Sequence, residues 1–77
     1  MTNVVMENVN IIMGKRLAKC YKLLNEARRL LNNNKLPHAK RAYLSAREIY
    51  VILEYHEKKE LYHELNEIFK TIKKLEE

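Results

Sequence analysis

Seventy-seven residues, with one cysteine, one glycine, one proline and a net charge of +5 at pH 7, set narrow limits on this chain. A chain of that length builds one core, buries roughly 60% of its unfolded surface and has no room for a second domain. Cys20 alone excludes an intramolecular disulfide, and one cysteine with three histidines makes no zinc knuckle, so stability must come from helix packing or self-association.

The composition, 47% apolar and 32% charged with few Gly or Pro, favours long helices over strands and turns. Residues 1–13 are mildly apolar but interrupted by Asn3, Glu7, Asn8 and Asn10, with no basic stretch ahead of them. They read neither as a signal peptide nor as a membrane span. A lone cysteine without a disulfide framework fits a reducing compartment, and the cytoplasm is the expectation.

The first helix is expected over about residues 5–32. Met13, Leu17, Cys20, Leu24, Ala27 and Leu31 recur at steps of 4, 3, 4, 3 and 4, an apolar seam on one face that Leu23 and Leu30 widen. Asn32, Asn33 and Asn34 are the stop signal, because Asn tolerates the left-handed conformation that closes a helix. Pro37 suits the first turn of a second helix, expected over about 37–53, and so short a connection makes the two helices antiparallel neighbours. That second helix carries Ala39, Tyr43, Ala46, Tyr50 and Leu53 at 4, 3, 4 and 3, with Ala42 and Ile49 beside them. Its three alanines allow close approach to the leucines of the first helix.

The next boundary has no Gly, Pro, Ser or Asn to mark it. A turn is still expected before a third helix over about 57–75, because Leu61, Leu65, Ile68, Ile72 and Leu75 form a separate seam and a 40-residue helix is far outside ordinary globular lengths. The expected architecture is one all-α domain over residues 1–77, a small three-helix bundle built as an antiparallel hairpin plus a third packed helix.

Charge divides along the chain. Residues 1–47 hold ten Lys/Arg against two Glu, whereas residues 48–77 hold five Lys against eight Glu. Either the basic half folds on the acidic half, or a basic face remains for an acidic partner or nucleic acid.

The spacing across residues 23–53 resembles a single tetratricopeptide-type hairpin: small Ala27, Ala39 twelve later, aromatic Tyr43 four beyond it, small Ala46 three further, and large Leu23 and Leu30 on the first helix. Val51 stands where that family usually carries Pro. One hairpin followed by a packed helix also resembles the three-helix microtubule-interacting-and-transport type of domain. The resemblance implies a scaffold that binds a peptide or helix in a groove between helices.

Catalytic chemistry finds no foothold. Ser45 lies mid-helix between Leu44 and Ala46, where bonding to its own backbone is expected, Cys20 falls on the seam as a small apolar residue, and the only glycine, Gly14, cannot make a phosphate loop. His56, Glu60, His63 and Glu67 share a helix face. The two histidines are two turns apart, about 10 Å, too far for one metal ion, so i,i+4 His–Glu contacts on a solvated face are expected. No catalytic set, cofactor, metal or small-molecule substrate is therefore expected.

Five tyrosines and one phenylalanine are more than three short seams need. Tyr21, Tyr55, Tyr62 and Phe69 are the candidate partner-binding residues. The expected function is a non-enzymatic protein–protein interaction module, self-associating into a homo-oligomer with Met13, Leu30, Tyr62 and Phe69 buried against a copy. The alternative is an accessory protein that binds nucleic acid, without base specificity, through Lys15, Lys19, Lys22, Arg28, Arg29, Lys40 and Arg41. Membrane docking is not expected, since Glu7 and the asparagines make residues 1–13 a poor anchor.

Overall fold

The computed structural model describes the backbone of residues 2–77 and the side chains of residues 14–77. It holds three helices, α1 (Thr2–Asn32), α2 (Leu36–Tyr50) and α3 (Tyr55–Glu76), in an up-down-up bundle. The fold is the all-α three-helix bundle the periodicities imply. The expectation for Met13 falls outside the described side chains.

The asparagine run ends α1 in a defined way. Asn34 adopts φ 60, the left-handed conformation. Its N–H reaches the Leu31 carbonyl at 3.1 Å, and the Lys35 N–H reaches back to Leu30 at 2.9 Å. These paired bonds are a Schellman closure, which satisfies carbonyls that the helix end leaves open. Helix α2 then starts at Leu36, with Pro37 in its first turn, where a missing N–H leaves no hydrogen bond unmade.

Helix α2 ends at Tyr50, three residues earlier than the seam suggests. Ile52 and Leu53 donate to the carbonyls of Ile49 and Tyr50, both at 3.1 Å, tightening the chain into i→i+3 turns. This turn carries Leu53 into the core, where it is buried although not helical. Glu54 is extended (φ −67, ψ 156), and its backbone N–H donates to the buried Glu57 carboxylate at 3.1 Å. The second boundary is therefore set by a side chain three residues inside α3 that reaches back to the cap, the logic of a capping box built on Glu.

Helices α1 and α2 pack most closely. Ala27, Ala39 and Ala46 are fully buried, and the small Ala46 lets the Cys20 thiol donate to its carbonyl at 3.3 Å. Leu24 and Leu61 are also completely buried, each stabilising the fold by about 2 kcal/mol relative to exposure. Ile68 and Ile72 complete the α3 side of the core, and Leu17, Leu31, Tyr50 and Leu65 pack partly buried around it.

Leu75 breaks the α3 seam and is 55% exposed. The reason is length: Thr71 already lies beside Leu31 and Asn32, the last residues of α1, so one turn later α3 has no α1 beside it.

Candidate functional site

Helix α3 divides its charge between two flanks. Glu60, Glu64 and Glu67 recur at 4 and 3 on the side turned to α1. Glu64 pairs with Arg28 of α1 at 2.8 Å, and Glu67 borders the same concavity as Arg28 and Leu31. On the other flank, Tyr55, Tyr62 and Phe69 recur every seven residues, and Lys59, Asn66 and Lys73 run parallel to them at the same interval.

That aromatic flank faces a row on α2. Lys40, Leu44, Arg47 and Val51, at 4, 3 and 4, stand one step round the helix from the buried Ala39–Tyr43–Ala46 seam. Between the rows runs a groove. One part, of about 240 Å³, is lined by Tyr43, Arg47, Tyr62, Leu65, Asn66 and Phe69. A second, of about 170 Å³, continues past Leu44, Phe69, Ile72 and Lys73 to Glu76. A third concavity, along Leu44, Arg47, Glu48 and Val51, is walled by α2 and its C-cap alone and lies outside the groove.

Phe69 forms part of the floor, its ring 6.0 Å from that of the buried Tyr43. The Tyr50 hydroxyl donates to the Lys58 carbonyl at 3.3 Å, tying the end of α2 to the first turn of α3, and burial followed by the nearby Tyr62 pushes that hydroxyl's pKa up. Leu44, Tyr62 and Phe69 are exposed along the groove and Tyr55 beyond its end, and among the described residues the remaining exposed large apolar side chains are Val51 and Ile52 at the α2–α3 turn and Leu75 at the end of α3.

The candidate partner-binding residues therefore separate. Tyr62 and Phe69 line the groove, and Tyr55 extends their row, 76% exposed with the Lys59 ammonium 5.6 Å from its ring centre. Tyr21 stands apart on the α1–α3 side, half-buried against the core. Desolvation, then Glu60 and Glu64, raises its hydroxyl pKa. Leu30, expected to join Tyr62 and Phe69 against a copy, lies on α1, which contributes no lining residue to the groove.

The seven candidate basic residues also divide. Arg28 pairs with Glu64, Arg29 with Glu26 and Lys40 with Glu76. The Arg29 hydrogen bond holds the Glu26 carboxyl below its ordinary range, and Lys40, at 2.6 Å, does the same for Glu76. Lys15, Lys19, Lys22 and Arg41 are exposed and have no ion pair among the described residues. Lys19 and Lys22 border a wide concavity with Ala18, Leu23 and Glu26, but all five come from one helix, so it has no opposing wall.

His63 Nε2 lies 3.8 Å from Glu67, the i,i+4 contact the spacing implies, and no group of three metal-ligating side chains converges among the described residues. Cys20 is buried, and burial pushes its thiol pKa up. No helix among the described residues is long and apolar enough to cross a membrane.

Sequence reasoning missed Leu44 and Arg47 as groove residues. Their signal was the 4, 3, 4 row beside the α2 seam, which becomes a wall only once α3 is known to lie against α2.

Fold and surface together define an antiparallel three-helix bundle with an open groove between α2 and α3. Compared with known proteins, the chain matches no family model, no curated protein and no solved structure.

Proposed function

We propose that this protein is a non-enzymatic helical interaction module that docks another protein in the α2–α3 groove. The observation that carries the reading is the exposure of Leu44, Tyr62 and Phe69 along the groove between α2 and α3, with Tyr55 continuing the aromatic row on α3. A contiguous apolar strip rimmed by polar groups is the usual mark of a binding face, and aromatic and Arg side chains are the usual anchors in one. The tetratricopeptide-like and microtubule-interacting-and-transport-like spacing supports the same use, a peptide or helix held between helices. A cytoplasmic location belongs to the proposal and rests on the lone, unpaired Cys20.

Self-association is the second reading, favoured by the same strip, which a second copy would cover; sedimentation at high micromolar concentration giving only the 9.3 kDa monomer would remove it. Nucleic-acid binding is the weaker alternative. Arg28, Arg29 and Lys40 already face carboxylates, which leaves Lys15, Lys19, Lys22 and Arg41 to carry it.

Affinity capture from the native lysate, with and without nuclease, tests the reading. The expected result is a protein retained through nuclease treatment and lost with Phe69→Glu, with circular dichroism confirming that the variant stays helical. Retention that depends on nucleic acid, or that survives Phe69→Glu, overturns it.

A further inference from the structure

We infer that the groove takes an acidic amphipathic helix, its apolar side against Leu44, Tyr62 and Phe69 and its carboxylates against Arg47 and Lys73; this rests on the docking reading above. Charge complementarity gives the sign. Glu60, Glu64 and Glu67 of α3 are turned to α1, with Glu64 held by Arg28, and Glu76 at the groove's end is held by Lys40, so the groove flank of α3 keeps Lys59 and Lys73. On the α2 side, Lys40 is neutralised by Glu76, whereas Arg47 has no ion pair or side-chain hydrogen bond among the described residues. Glu48 is the one other carboxylate at the rim, and it borders only the outer concavity.

Arg47 lines all three concavities, between Tyr43, Tyr62 and Phe69 on one side and Leu44 and Val51 on the other. An exposed guanidinium flanked by apolar and aromatic side chains suits a carboxylate delivered together with apolar groups, since its planar fork binds both carboxylate oxygens.

Shape gives the conformation. Both walls are helices, and a helix packs by laying its ridge of side chains into the groove between two others. The α2 row from Lys40 to Val51 spans about 16 Å and the α3 row from Tyr55 to Phe69 about 21 Å, by the rise per residue. A helix of roughly 11–14 residues matches that length. Addition of a peptide as a strand would need a sheet edge to pair with, and the described residues form no strand. A second copy brings the same cationic strip and the same net charge of +5, so like charges oppose it here.

The test is selection from a displayed library of helical peptides of about 14 residues, with fixed leucines on one face and randomised polar positions, at a length set by the groove. Binders are mapped by amide chemical shifts on the whole chain. Enrichment of Asp and Glu beside the leucines, shifts at Leu44, Arg47 and Phe69, and about tenfold or greater weakening with Arg47→Glu are expected. Lys73→Glu should weaken the same peptides, and both side chains are exposed, so the fold is retained. Binders that seat in the groove with neutral or basic flanks, or that ignore Arg47→Glu, overturn the inference while leaving the docking reading intact. Binders that shift the outer face of α1 around Lys19 and Lys22, or no binders at all, overturn both.

Discussion

Replacing Ala46 with leucine adds three carbons at the tightest point between α1 and α2. Ala46 has no exposed surface, and the Cys20 sulfur sits 3.3 Å from its carbonyl oxygen, so neither helix has room to accommodate the larger side chain. Overpacking of this kind costs about 1–3 kcal/mol. A 77-residue chain at roughly 0.05–0.15 kcal/mol per residue has only about 4–12 kcal/mol in total. At about 4–8 °C per kcal/mol for a small domain, the melting temperature should fall by roughly 5–20 °C. Leu44→Ala, on the same helix but exposed, should stay within about 0.5 kcal/mol and serves as the control. Thermal and urea denaturation followed by far-ultraviolet circular dichroism reads both variants. An Ala46→Leu protein that melts within about 2 °C of the parent, or above it, would refute the argument that alanines set the approach of the two helices.

The turns yield sharper substitutions. Glu57→Ala removes the acceptor for the Glu54 N–H and should cost about 0.5–2 kcal/mol in urea unfolding, with Glu57→Gln recovering part of it. Asn34→Gly should preserve or raise stability, whereas Asn34→Val, a branched residue at φ 60, should lower the melting temperature measurably. Burial raises the Cys20 thiol above its ordinary 9.0. The folded state therefore holds that proton more tightly, and the associated stability is intact below pH 9.0 and lost as pH rises through the folded value. Cys20→Ala should lower the urea midpoint at every pH by truncating a buried side chain, and the gap from the parent should change only on the alkaline side. The Glu76 carboxyl, held down by Lys40, should titrate below the ordinary range by NMR and return to it in Lys40→Met.

How much of this was legible in the sequence depends on whether a residue acts within its own helix or across two. The seam residues Cys20, Leu24, Ala27, Ala39, Tyr43 and Ala46 are buried as their 4, 3 spacing requires, because periodicity reports the face a helix must hide. Asn34 closes α1 because its side chain tolerates the conformation that a closure needs. The Glu54–Glu57 boundary was expected from the separate α3 seam and from helix length, with no local breaker to mark it. Its chemical signal, a carboxylate three residues past the cap, is easily read as ordinary helix surface. Leu75 was misplaced because a seam records phase and not where the neighbouring helix stops. Leu44 and Arg47 could not be assigned to a groove before the packing of α2 on α3 was known. Likewise, the charge asymmetry of the two halves resolves only in three dimensions: Arg28–Glu64 and Lys40–Glu76 join basic half to acidic half, and the aromatic flank of α3 keeps its lysines.

Photo-crosslinking from inside the groove addresses the docking claim most directly. A photoreactive residue in place of Tyr62, 60% exposed on the groove lip, is compared with one in place of Lys19 on the outer face of α1. The account predicts a discrete protein adduct from position 62, insensitive to nuclease and larger than twice 9.3 kDa or otherwise distinct from a crosslinked pair of copies. Adducts formed only from position 19, and abolished by nuclease, would contradict it.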